Sequence, residues 1–92
     1  MPSQHILLVE DDLTLGELFM TVLERTGHGV TWFVLARTSE EGLVLMDADG
    51  IESLLKPVSY ELALVDYRLK GSAIDGPEVT SHLVAVGLPV VG

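Results

Sequence analysis

"ELALVDYRLKG", residues 61–71, decides how this chain reads. Its apolar residues run unbroken from Leu62 to Val65, meet Asp66, and give way to polar residues and Gly71. A short continuous apolar run closed by turn residues is the pattern of a strand buried on both faces, as in a parallel sheet. The same arrangement occurs at the other end of the chain, where "HILLV" (5–9) breaks abruptly into Glu10, Asp11 and Asp12. The acids at both strand tips need a physical reason, because a carboxylate beside buried backbone loses hydration unless something compensates it.

Between these landmarks the periodicity changes. Leu15, Leu18, Phe19, Val22 and Leu23 share one face of a helix that starts near Leu13 and stops at Gly27. "GVTWFVL" (29–35) is rich in β-branched and aromatic residues and reads as a second strand. Thr38 and Glu41 stand at capping-box spacing, which predicts a helix over about residues 39–46. Residues 47–60, "DADGIESLLKPVSY", contain two turn signals around a short apolar patch and read as a long connection with room for one turn of helix. After Asp66, Asp75 is placed to cap a helix with Pro77 in its first turn and Val79, Leu83 and Val86 on one face before Gly87, and "LPVVG" (88–92) opens a fourth apolar run. Strands alternating with amphipathic helices predict an α/β fold with a parallel sheet.

Composition bounds the function. Ninety-two residues make one small domain, and 48% hydrophobic residues with a mean hydropathy of +0.42 are enough for a packed core. The excess of 14 acidic over 5 basic residues, a net charge of −9, repels phosphates and argues against direct nucleic-acid binding and against anionic membrane surfaces. The absence of cysteine excludes disulfides and thiolate metal sites. No apolar run is long enough for a bilayer, and the N-terminus lacks a signal-peptide pattern, so a cytoplasmic location with no membrane partner is expected.

In an open parallel sheet the binding crevice lies beyond the carboxyl ends of the strands, so Glu10, Asp11 and Asp66 are expected at one edge. Carboxylates gathered there either take up protons or bind a cation. Oxygen donors on short loops favour Mg²⁺, with water and phosphate oxygens completing its octahedron. Asp12 reads as a helix N-cap. "DADG" (47–50) lacks the downstream Glu of a calcium loop and reads as a plain turn. "GHG" (27–29) follows a helix and precedes a strand, the reverse of a phosphate-cradling loop, and His5, His28 and His82 show no ligand spacing. Trp32 and Phe33 read as packing residues.

Taken together, "ILLVEDD", "LALVDYRLKG" with "DGPE" beyond it, and "LPVVG" resemble the receiver domain of two-component response regulators along the whole chain. The resemblance implies a flavodoxin-like doubly wound parallel sheet, CheY-like in arrangement, and a function as a phospho-acceptor rather than an enzyme. It implies that a histidine kinase or phosphotransfer protein donates a phosphoryl group to Asp66, with Mg²⁺ held by Asp11, by Glu10 through water, by Asp66, and by the backbone carbonyl of Arg68. Lys70 stands where many members carry Pro, and the interval from Asp11 to Asp66 is longer than usual, which predicts an insertion around residues 47–60. The family's last helix, strand and helix, with a Ser/Thr and a Lys that contact the phosphoryl group, have no counterpart before Gly92. A receiver domain over residues 1–92, incomplete at its C-terminus, is therefore expected, with the fourth strand an open edge that a second copy could pair with. Two further readings remain open: a pseudo-receiver that binds proteins without phosphorylation, and a Mg²⁺-dependent phosphohydrolase of the haloacid dehalogenase type. The second wants an Asp two residues after the nucleophile, where this chain has Arg68.

Overall fold

The computed structural model describes residues 4–56 and 59–92. The elements are β1 (His5–Val9), α1 (Leu13–Arg25), β2 (Gly29–Phe33), β3 (Leu35–Ser39), β4 (Gly42–Met46), β5 (Glu52–Leu54), β6 (Leu62–Val65), α2 (Gly76–Ala85) and β7 (Val90–Val91). The expected strands at both chain ends, the first helix and the helix after Asp66 are all present.

Four strands form a parallel sheet in the order β2-β1-β6-β7. The central β1 is buried from Ile6 to Val9, which explains why its sequence is apolar without alternation. Successive side chains point to opposite faces. Leu7 and Val9 join Ala63 and Val65 in a core that continues into Val79 and Leu83 of α2 and into Leu43 and Leu45 of β4. Ile6 and Leu8 face the other way, toward α1. Two parallel connections run through α1 and α2, as parallel neighbours require.

The remaining connection, from β2 to β6, corrects the expected helix over residues 39–46. Residues 35–54 instead form a three-stranded antiparallel sheet in the order β3-β4-β5. Its first hairpin pairs Ser39 with Gly42 across the two-residue loop Glu40–Glu41. The Ser39 hydroxyl accepts from the Glu41 N–H (3.2 Å) and donates to the Gly42 carbonyl (3.1 Å), so Ser39 closes a turn rather than entering a helix. Gly42 has φ +131°, a conformation that L side chains rarely adopt. "LVLM" (43–46) is apolar at every position because β4 is the middle strand: Leu43 and Leu45 enter the core, while Val44 is buried on the outer face. There Arg37 on β3 forms a two-pronged ion pair with Glu52 on β5 (2.6 and 3.1 Å), spanning β4. The guanidinium holds the Glu52 carboxyl below its usual range, mainly by hydrogen bonding.

"DADG" is a plain turn, as expected: the Asp47 carboxylate accepts from the amides of Asp49 (2.9 Å) and Ile51 (3.0 Å) and leads into β5. The expected irregular connection over residues 47–60 instead carries strand β5 (Glu52–Leu54), paired with β4 because the antiparallel sheet needs a third strand beside Val44 and Met46; Pro57 and Val58 of that stretch lie outside the described residues. No helix among the described residues is long and apolar enough to cross a membrane.

Candidate functional site

The ladder of β1 with its neighbours extends one residue past the strands and sets the positions of the acids. The Glu10 amide donates to the Phe33 carbonyl (3.0 Å), and the Asp66 amide donates to the Val9 carbonyl (2.9 Å). Glu10 and Asp66 therefore sit side by side at the carboxyl ends of β1 and β6, with Asp11 next along the chain. Carboxylate oxygens from Glu10, Asp11 and Asp66 all lie within 4.8 Å of one another.

Each acid has a different environment. Glu10 is 2% exposed, and its pKa is pushed up to about 7, first by burial and then by the Asp66 and Asp11 carboxylates, against the pull of the Asp12 amide. That amide donates to Glu10 Oε2 (3.2 Å). Asp11 and Asp66 are half-buried and open toward solvent. Asp11 Oδ2 accepts from the Lys70 amide (2.9 Å), which ties the start of α1 to the loop after β6. Arg68 is exposed in that loop. Asp12 stands apart as the N-cap of α1, accepting from the Leu15 amide (3.0 Å), as expected. Asp75 occupies the N-cap position of α2 but makes no capping bond, which corrects the expected role; its carboxylate accepts instead from the Leu69 amide (3.3 Å).

Two residues outside the sequence-derived set shape this site. Trp32 donates its indole N–H to the Glu10 carbonyl (2.8 Å) while its ring lies over Gly16 of α1, where a Cβ would collide with it. Trp32 thus packs, as expected, and also fixes the strand tip. Gly76 is buried, and a Cβ there would run into the Asp66 and Tyr67 carbonyl oxygens; its amide donates to the Tyr67 carbonyl (3.1 Å). The first turn of α2 reaches the back of the acidic loop only because position 76 lacks a side chain. Neither role has a local sequence signal, since Trp32 lies 22 residues from its partner.

The three histidines remain apart from the cluster, with the His5 Nε2 hydrogen-bonded to the Thr31 hydroxyl (2.8 Å) and the His28 Nδ1 accepting from the Gln4 amide (3.3 Å).

This chain is similar to a bacterial regulator. It is 28% identical, over an alignment of 93 residues taking in 99% of its length, to the uncharacterized transcriptional regulatory protein YbdJ of Bacillus subtilis (strain 168). The matched region spans 34% of that protein's length. No protein-family model and no solved structure matches the chain. The similarity is compatible with a response-regulator family.

Proposed function

We propose that the chain is the phospho-acceptor module of a two-component system, a flavodoxin-like receiver that takes a phosphoryl group onto Asp66 from a histidine kinase or phosphotransfer protein. The observation that carries this reading is the convergence of Glu10, Asp11 and Asp66 at the carboxyl edge of the parallel sheet. The name of the similar regulator, YbdJ, supports it at the level of regulatory function.

The donor set fits a small hard cation. Its ligands are oxygens, they are close enough to share one ion, and burial, followed by the neighbouring Asp66 and Asp11 carboxylates, raises the pKa of Glu10. Asp11, Asp66 and the Arg68 carbonyl would hold Mg²⁺ directly and Glu10 through water. A bound Mg²⁺ neutralises charge on the transferring phosphoryl oxygens. The protein's own residues position the reacting groups. The Asp66 amide bond to Val9 fixes the nucleophile at the strand tip, and one of its carboxylate oxygens forms the new P–O bond as the donor's P–N bond breaks. Gly76 holds α2 behind that tip.

The test is intact-mass spectrometry after incubation with acetyl phosphate and Mg²⁺. One phosphoryl group is expected on the wild type, expressed from the full-length reading frame, and none on its Asp66→Asn variant, while Asp11→Asn keeps the nucleophile but labels much more slowly and residues 1–92 alone label slowly or not at all. Full labelling of Asp66→Asn would move the acceptor elsewhere. A wild type that binds Mg²⁺ without labelling would favour an interaction module that works without phosphorylation.

A further inference from the structure

The loop between β6 and α2 touches the acidic cluster at one point and the antiparallel sheet at another. The Lys70 amide donates to Asp11 Oδ2 (2.9 Å). One residue earlier, the Leu69 side chain is buried in the core and its amide donates to Asp75 (3.3 Å). The Ser72 amide closes a turn onto the Leu69 carbonyl (3.1 Å), and the Ser72 hydroxyl accepts the Ala36 N–H of β3 (3.0 Å). Among the described residues β3 pairs with β4 alone, so this N–H has no strand partner there and Ser72 supplies its acceptor. Gly71, Ser72 and Ala73 line an apolar cleft of about 180 Å³ with Leu35, Val44 and Met46 on the outer face of the same sheet.

We propose that this loop couples the acidic cluster to the antiparallel sheet through Ser72, so that a cation in the cluster tightens β3 at Ala36. The inference rests on the reading of the cluster as a metal site. Asp11 Oδ2 already accepts from Lys70, but Asp11 lies within 4.8 Å of the Glu10 and Asp66 carboxyl oxygens, whose charge opposes a single fixed position for it. A cation held through one Asp11 oxygen leaves the other for the Lys70 amide and fixes its position. Leu69 is anchored in the core and bonded to Ser72, so a turn fixed at Lys70 is fixed at Ser72 also. The cleft beside Ser72 leaves space on the sheet side for the adjustment. Ser72 is a positioning residue in this scheme and touches neither the cation nor a substrate.

Residue-resolved amide hydrogen exchange, with saturating MgCl₂ against an NaCl control of equal ionic strength, tests the coupling. The Lys70 and Ala36 amides should both slow by about tenfold, the exchange equivalent of one strengthened hydrogen bond. In Ser72→Ala the Ala36 response should vanish while the Lys70 response persists, and Ser72→Thr, which keeps a hydroxyl, should restore it. Slowing at Lys70 without slowing at Ala36 in the wild type would overturn the coupling and leave the metal site standing. An Ala36 response that survives in Ser72→Ala would overturn the role of Ser72. No Mg²⁺ response at Glu10, Asp11, Asp66 or Lys70 would overturn the metal reading, and the coupling with it.

Discussion

Glu10 sits in the fold with its carboxyl titrating at about 7 instead of 4.5, so the folded state holds its proton more tightly than the unfolded chain does. The sign follows: the stability this group contributes is complete below about pH 4.5 and is lost as pH rises through about 7. In chelator, the melting temperature should therefore fall between about pH 5 and 8, by an amount equivalent to roughly 1–3 kcal/mol. Glu10→Gln, neutral at every pH, should flatten that slope; an unchanged slope would assign the titration to another group. Mg²⁺ should restore the stability lost at the alkaline end, because the cation replaces the proton as the compensating charge. Gly76→Ala places a methyl group against the Asp66 and Tyr67 carbonyl oxygens, backbone atoms that cannot rotate away. It should cost about 1–3 kcal/mol in denaturant unfolding and weaken Mg²⁺ binding, whereas a neutral result would mean that α2 can retreat without disturbing Asp66. The three acids were legible in the sequence because each ends or follows an apolar run. Trp32 and Gly76 were not, because their importance lies in contacts with chain segments remote in sequence or in the absence of a side chain.

At the scale of elements, the parallel strands and the two helices were legible because each carries a long enough periodic signal and a recognisable stop, as with Gly27 after α1 and Gly87 after α2. Residues 35–54 were not. The spacing of Thr38 and Glu41 imitates a capping box, while the features that make a hairpin are a glycine at the first position of β4 and an apolar run whose partners lie on both sides of it. A run of four apolar residues has too short a period to separate a buried strand from a helix, and tertiary pairing with β3 and β5 decides it. The two possibilities predict opposite signs for one substitution. In a helix interior Gly42→Ala would stabilise the protein by about 0.5–1 kcal/mol. At φ +131°, with only the Leu54 side chain nearby at 3.9 Å from an added Cβ, the same change adds backbone strain without a clash. Gly42→Ala should thus destabilise the protein by about 1–2 kcal/mol in urea unfolding, and a gain in stability would restore the helix.

For the whole molecule, the two faces of the parallel sheet are covered unequally. One face carries α2 and the antiparallel sheet, which together enclose the core. The other carries α1, on which Leu15, Leu18, Phe19 and Val22 are between 38% and 57% exposed. Leu15 and Phe19 border a groove of about 360 Å³ floored by Leu8 and Leu64 and closed by Val91 on β7. Among the described residues β7 is the edge of the sheet, paired with β6 on one side. An apolar helix stripe beside an open strand edge is a surface that a second copy of the same chain can cover, by pairing along β7 and burying the stripe. Each half-exposed aliphatic side chain removed from water contributes on the order of 1 kcal/mol to that association. The radius of gyration, 12.2 Å, is what a compact chain of this length should have. Static light scattering over a concentration series of the 92-residue chain should show a mass that rises with concentration. Leu18→Gln removes the most exposed member of the stripe without altering the net charge of −9, so a shift of the rise to higher concentration isolates the apolar contribution from electrostatic repulsion. A wild-type mass that stays at one protomer throughout, with cooperative unfolding, would show that the groove and the β7 edge do not drive self-association at all.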